Sequence, residues 1–135
     1  LLEREEDMAG FLGINISRDA NNNSLSMIQT GLIERILFVM DRQDCNIKHT
    51  PADKVPLVKD EYGDPCLENW EYRCVVGMML YLAGSTRLDI SYAVHQCARF
   101  SRNPNRSHEI GAKHIARYLQ GSKDKGLILS SDVGN

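Results

Sequence analysis

Eight cations crowd the chain after residue 84: Arg87, Arg99, Arg102, Arg106, Lys113, Arg117, Lys123 and Lys125, interleaved with Tyr92, Phe100 and Tyr118. Guanidinium and ammonium groups neutralise phosphates and aromatic rings offer faces for stacking, so this mixture suits a polyanion. Spacing sharpens the point. On a helix, Arg99 and Arg102 lie three residues apart on one face, and Lys113 and Arg117 lie four apart on another. Each neutralised phosphate steepens the salt dependence of duplex binding by roughly 0.9 log units per log unit of salt. The same cations also suit a solvated surface, where each gains ~0.3–1 kcal/mol near a helix C-terminus.

The 135 residues hold 16 Lys+Arg and 18 Asp+Glu, a formal net charge of -2, which excludes a wholly basic nucleic-acid coat. The sum hides an asymmetry. Residues 1–84 carry 8 basic and 14 acidic side chains, whereas residues 85–135 carry 8 and 4. A sign change of this size suits one part facing a polyanion, and equally two differently solvated helical surfaces.

Other chemistry is thin. Cys45-x-x-x-His49 has a spacing that a metal could use, but no second Cys/His pair stands at zinc-finger distance. His95 and Cys97, two apart on a helix, diverge. His108 suits a helix cap and His114 a solvated surface. No phosphate-cradling Gly-rich loop and no Gly-x-Ser-x-Gly elbow occurs. Glu5, Glu6 and Asp7 sit in a polar run without the apolar flanks of a two-metal site. No catalytic residue and no metal ligand is assigned. Cys45, Cys66, Cys74 and Cys97 are scattered, which favours reduced thiols inside a cell. No apolar run approaches the ~18–20 residues of a membrane span, so no membrane partner is expected. The absence of an initiator Met leads us to expect a segment of something longer.

These groups need elements to position them. Leu12, Ile14 and Ile16 alternate with polar or small neighbours, and Leu25 to Gln29 reads as a returning strand, so residues 11–29 predict a β-hairpin with a long Asn-rich loop. Leu32, Ile33, Ile36, Leu37 and Met40 then fall on one face of a helix running to about Asp44, with Thr30 as its cap. Residues 46–68 hold three of the four prolines and read as a long loop. Helices follow at 69–83, at 89–102, ended by Asn103-Pro104, and at 107–120, the last with Ile110, Ile115, Tyr118 and Leu119 inward. Gly126 to Ser130 reads as a short strand. The expected class is α+β, mostly α: an N-terminal β-hairpin, a thumb-like bundle of about four helices and a short C-terminal strand.

The order of these motifs resembles the C-terminal part of the reverse transcriptase in copia-type LTR retrotransposon polyproteins. The match runs from Phe11-Leu12-Gly13-Ile14 through Gln29, Ile33, Ile36 and Leu37 to Cys45 and Thr50-Pro51. It continues with Tyr72-Arg73, Val76-Gly77 and Leu80-Tyr81-Leu82. Its densest block comprises Thr86-Arg87, Asp89-Ile90, Tyr92-Ala93-Val94, Arg99-Phe100, Pro104, His108, Ala112-Lys113, Arg117-Tyr118-Leu119, Gly121 and Gly126-Leu127.

The resemblance implies that residues 1–29 are the end of a palm and a primer-grip hairpin. It makes residues 30–121 a thumb and connecting region, and residues 122–135 the start of the connection toward ribonuclease H. Phe11, Leu12 and Gly13 would touch the primer, and Arg87, Arg99, Arg102, Lys113 and Arg117 would contact phosphates without reading bases. The implied partners are an RNA/DNA template–primer duplex and the palm, fingers and ribonuclease H of the same polyprotein, in a cytoplasmic particle or the nucleus. The family's Tyr/Phe-x-Asp-Asp motif lies upstream of this hairpin. The parent polymerase would use Mg2+, while this segment needs no cofactor and is catalytically silent alone.

Four positions depart from the family pattern. Leu32 replaces an aromatic, Met40 a Phe, Arg42 a Met, and Leu88 a Pro between Arg87 and Asp89. The departures are compatible with a decayed genomic copy. The competing expectation is a stand-alone DNA-binding or regulatory module, with residues 89–102 and 107–120 as a helix–turn–helix, or an inert remnant.

Overall fold

The computed structural model describes residues 14–21, 23–42, 45–60 and 62–130. Strands β1 (Asn15–Asp19) and β2 (Ser24–Ile28) form an antiparallel hairpin. Its turn uses Asn23 at φ 50, a left-handed conformation that asparagine tolerates better than most residues, and Asp19 Oδ1 accepts from the Asn21 amide at 3.0 Å. Phe11, Leu12 and Gly13, the expected primer contacts, lie outside the described residues.

Helix α1 (Thr30–Val39) begins at Thr30 itself, so Gln29 rather than Thr30 is the cap residue, and the Thr30 hydroxyl reaches the Lys123 carbonyl at 3.3 Å. The helix stops well before Asp44. Asp41 takes φ 55, its amide donates to the Phe38 carbonyl at 3.1 Å, and the Arg42 amide donates to the Leu37 carbonyl at 2.8 Å. These two bonds make a Schellman closure, here with aspartate where glycine is usual.

Helix α2 (Tyr72–Ser85) leads into a 3-10 turn (Leu88–Ile90) and then α3 (Ser91–Ala98), so the single helix expected over 89–102 is shorter at both ends. Helix α4 (Arg106–Gln120) starts with a capping box: Asn105 caps the His108 amide, and the His108 ring accepts from the Asn105 amide at 3.0 Å. The helices contact one another in a closed ring, α1 on α2, α2 on α3, α3 on α4, and α4 back on α1. Ile33, Ile36, Leu37, Val75, Val76, Met79, Leu82, Val94, Ile115 and Leu119 fill its centre. Ile110, expected inward, is 51% exposed. The inward stripe of α4 is instead His108, Ala112, Ile115 and Leu119, a spacing of four, three and four that follows the helical repeat. Two alanines let α4 approach its neighbours closely.

Strand β3 (Gly126–Ser130) returns to pair antiparallel with β2, giving a three-stranded sheet of order β1-β2-β3. Gly126 sits opposite Ile28, and a Cβ there would stand 2.0 Å from the Met27 carbonyl oxygen. Only glycine fits that close approach of backbones. The hairpin, the helical ring and the last strand thus form the α+β, mostly α arrangement expected.

Candidate nucleic-acid interface

The structure separates the predicted cations into three groups. Arg87, 1% exposed, is an internal group. Its Nε and Nη2 donate to the two carboxylate oxygens of Asp89 at 3.0 Å each, its Nη1 donates to the Ser122 carbonyl at 2.8 Å, and Nη2 also reaches Ser122 Oγ at 2.8 Å. Tyr118 donates its hydroxyl to the same Asp89 carboxylate. Burial raises the Asp89 pKa, but the bonds from Arg87 and Tyr118 outweigh it and hold the group below its ordinary value. Arg87, expected at phosphate, spends its donors inside the fold.

Lys113 and Arg117 share a face of α4 as spaced, and each meets a residue of the loop before α2. Lys113 Nζ lies 2.9 Å from Glu68 Oε1, and Arg117 Nε donates to the Asn46 carbonyl at 2.7 Å. Glu68 gathers Arg42 at 2.9 Å and Arg106 at 3.3 Å as well. The hydrogen bond from Lys113, followed by those other cations, holds the Glu68 carboxyl below its ordinary pKa despite some desolvation. Arg42, the charge at a usually apolar position, therefore has a partner. Beneath this cluster Glu109 is buried, accepting from the Leu67 amide at 2.8 Å, the Glu68 amide at 3.1 Å and Arg106 at 3.1 Å. Sequence reading missed Glu68 and Glu109. The phase of α4 carried a signal for Glu109, which lies three residues from Ala112 and seven from Ala116 on the buried side.

Arg99 and Arg102 form the third group, both exposed just beyond the end of α3. Arg99 leans toward the Phe100 ring, 5.6 Å from its centroid. With Lys59, Asp60, Asn103, Asn105 and His108 they line a groove of about 210 Å³. Its floor is rigid. The Phe100 and His108 rings stack with centroids 4.1 Å apart, and His108 Nε2 donates to the Val58 carbonyl at 2.8 Å. Because His108 Nδ1 accepts from Asn105, the ring is the neutral Nε2–H tautomer, a capping role as expected. His114 departs from expectation: it is buried, with Nε2 donating to the Thr50 carbonyl at 2.9 Å.

The helix–turn–helix alternative requires α4 to lie free in a major groove. Eight of its 15 residues are buried, from His108 to Leu119, so its inner side is closed within the ring. Among the described residues no group of three His, Cys, Asp or Glu gathers for a metal, and no helix is long and apolar enough to cross a membrane.

Comparison with known proteins decides the family. The chain is 34% identical over 124 residues, 92% of its length, to the retrovirus-related Pol polyprotein from transposon RE1 of Arabidopsis thaliana. It is 30% identical over 120 residues to that from transposon TNT 1-94 of Nicotiana tabacum, and 32% identical over 119 residues to a putative transposon Ty5-1 protein of Saccharomyces cerevisiae.

The chain belongs to the copia-type retrotransposon polyprotein family.

The three matches take in 92%, 83% and 87% of this retrotransposon segment but only 8% of the RE1 polyprotein, 9% of the TNT 1-94 polyprotein and 38% of the Ty5-1 protein. No protein-family model matches the segment, and no solved structure matches it. Its exposed cations and its internal cations come from the same densely matching stretch, and only the geometry tells them apart.

Proposed function

We propose that this segment is the duplex-tracking helical part of a retrotransposon RNA-directed DNA polymerase, with the β1–β2 hairpin as its primer grip. It carries no polymerase carboxylates and positions the template–primer without catalysing. One observation supports the reading most: Arg99 and Arg102 stand exposed together beside a stacked Phe100–His108 pair, while Arg87 and Lys113 are held by partners within the fold. Two guanidinium groups on a fixed ledge contact phosphates without entering a groove, which positions a duplex irrespective of sequence. Family membership supports the same reading, because Pol polyproteins of retrovirus-related transposons are the relatives.

The test compares binding of the 135-residue chain to unrelated duplexes and to an RNA–DNA hybrid, by fluorescence anisotropy at fixed salt. Similar affinities across sequences are expected. A strong preference for one sequence would reject phosphate tracking in favour of base reading.

A further inference from the structure

We propose that Arg42, Arg106 and Lys113 form a second phosphate site for the duplex, and that the Glu68 carboxylate occupies it in the resting fold. The inference rests on the reading above, that this segment tracks a duplex, and extends it from the exposed ledge to the clasped cations.

The geometry is that of an anion site whose anion comes from within the chain. All three cations converge on one oxygen, Glu68 Oε1: Arg42 Nη2 at 2.9 Å, Lys113 Nζ at 2.9 Å and Arg106 Nη1 at 3.3 Å. One carboxylate neutralises only one of them. Glu109 offsets a second through Arg106 at 3.1 Å, so three cations against two carboxylates leave one positive charge, and two once Glu68 withdraws. Guanidinium and ammonium groups gathered in this way suit a phosphate, which offers several acceptor oxygens where the carboxylate uses one.

The cations do not depend on Glu68 for their places. Arg106 keeps Glu109, Arg42 Nη1 donates to the Asp41 carbonyl at 3.2 Å, and Lys113 lies seven residues after Arg106 on the same side of α4. Nor is the cluster sealed, since the three cationic side chains are 22–25% exposed and Glu68 is 20% exposed. Glu68 rides on the loop before α2, where the Leu67 and Glu68 amides are pinned to Glu109. Tethered there, it acts at the high effective concentration of an intramolecular partner and outcompetes dissolved phosphate. A duplex already seated on Arg99 and Arg102 is the competitor with a comparable local concentration. Arg102 and Arg106 are four residues apart, at most about 14 Å, which is a span of about four nucleotides along one strand. The carboxylate thus limits how tightly the segment holds a duplex.

The experiment measures the salt dependence of duplex binding for the full chain carrying Glu68→Gln. Without the resident anion, the slope of log affinity against log salt should steepen by roughly 0.9 for each cation that engages phosphate, hence by at least that much. Both Glu68→Gln and Glu68→Ala keep the Glu109 anchor and should fold, and both should show the gain. Adding Lys113→Ala to Glu68→Gln should take back roughly 0.9 of it, although Lys113→Ala alone changes little. Glu34→Gln, the same change of charge at an exposed position of α1, should leave the slope as in the parent. An unchanged slope in both Glu68 variants overturns the proposal, as does a gain that Glu34→Gln reproduces or that Lys113→Ala leaves untouched. A gain abolished by inorganic phosphate at matched ionic strength would assign the site to free phosphate and overturn its assignment to the duplex. If Arg99→Ala/Arg102→Ala leaves the parent's slope unchanged while Glu68→Gln still steepens it, the ledge reading fails and this site stands; the converse result removes this site alone.

Discussion

Arg87, just ahead of the 3-10 turn, and Asp89, within it, meet as a two-pronged ion pair with both contacts at 3.0 Å. Arg87 also holds Ser122, just ahead of β3, while its neighbour Thr86 donates to Gln29 Oε1 at 2.7 Å, just ahead of α1. Adjacent residues thus grip the two chain segments that join the sheet to the helices. Removing Arg87 leaves the Ser122 carbonyl unpaired in a buried place, while the Asp89 carboxylate, 38% exposed, keeps water and Tyr118. Arg87→Ala should destabilise the fold by about 2–3 kcal/mol in urea denaturation. A loss below ~1 kcal/mol, the size of a surface pair, would show that the junction is not held this way.

Leu88 offers the opposite kind of test. It is 64% exposed, begins the 3-10 turn, and follows Arg87 at φ -124 and ψ 66, outside the helical region that a following proline disfavours. Leu88→Pro, which restores the residue usual in the family, should stabilise by about 0.4–1 kcal/mol through the unfolded chain. A drop in melting temperature would mean that the Leu88 amide has a role unseen here.

The carboxylates predict an acid response. Glu68 and Asp89 both sit below their ordinary pKa in the folded chain. The folded state therefore releases their protons more readily than the unfolded one. Their contribution is complete above the usual carboxylate range and fades as pH falls through and below it. Urea midpoints measured from neutrality downward should decline there, and Glu68→Gln should flatten part of the decline. An unchanged profile in Glu68→Gln would contradict the cluster with Arg42, Arg106 and Lys113.

Thiol labelling checks the helical ring. Cys97 is buried, its pKa pushed up to about 11 by burial, whereas Cys74 is exposed. At neutral pH a thiol reagent should modify Cys74 first and Cys97 only on unfolding. Fast reaction at Cys97 would mean that α3 does not pack as described.

How legible all this was varies with range in sequence. Local periodicity was enough for α2 and β3, and for His108 as a cap, because those depend on residues three or four apart. It was not enough for the partners of Lys113 and Arg117, since Glu68 and Asn46 lie 45 and 71 residues away and tie both cations to the preceding loop. Ile110 misled because apolar character was weighed above phase; small alanines at 112 and 116 mark the true inner face. The pairing of β3 with β2 bridges about a hundred residues, and no local pattern encodes it.

The most direct measurement of the central claim is the salt dependence of duplex binding for the parent chain and for Arg99→Ala/Arg102→Ala. Both residues are exposed, so the variant should fold. If the two guanidinium groups track phosphates, the slope of log affinity against log salt should shrink by roughly 1.8, about 0.9 for each lost contact. Lys113→Ala should change the slope little, since Lys113 is held by Glu68. An unchanged slope in the double variant, or a large change in Lys113→Ala alone, would contradict the account.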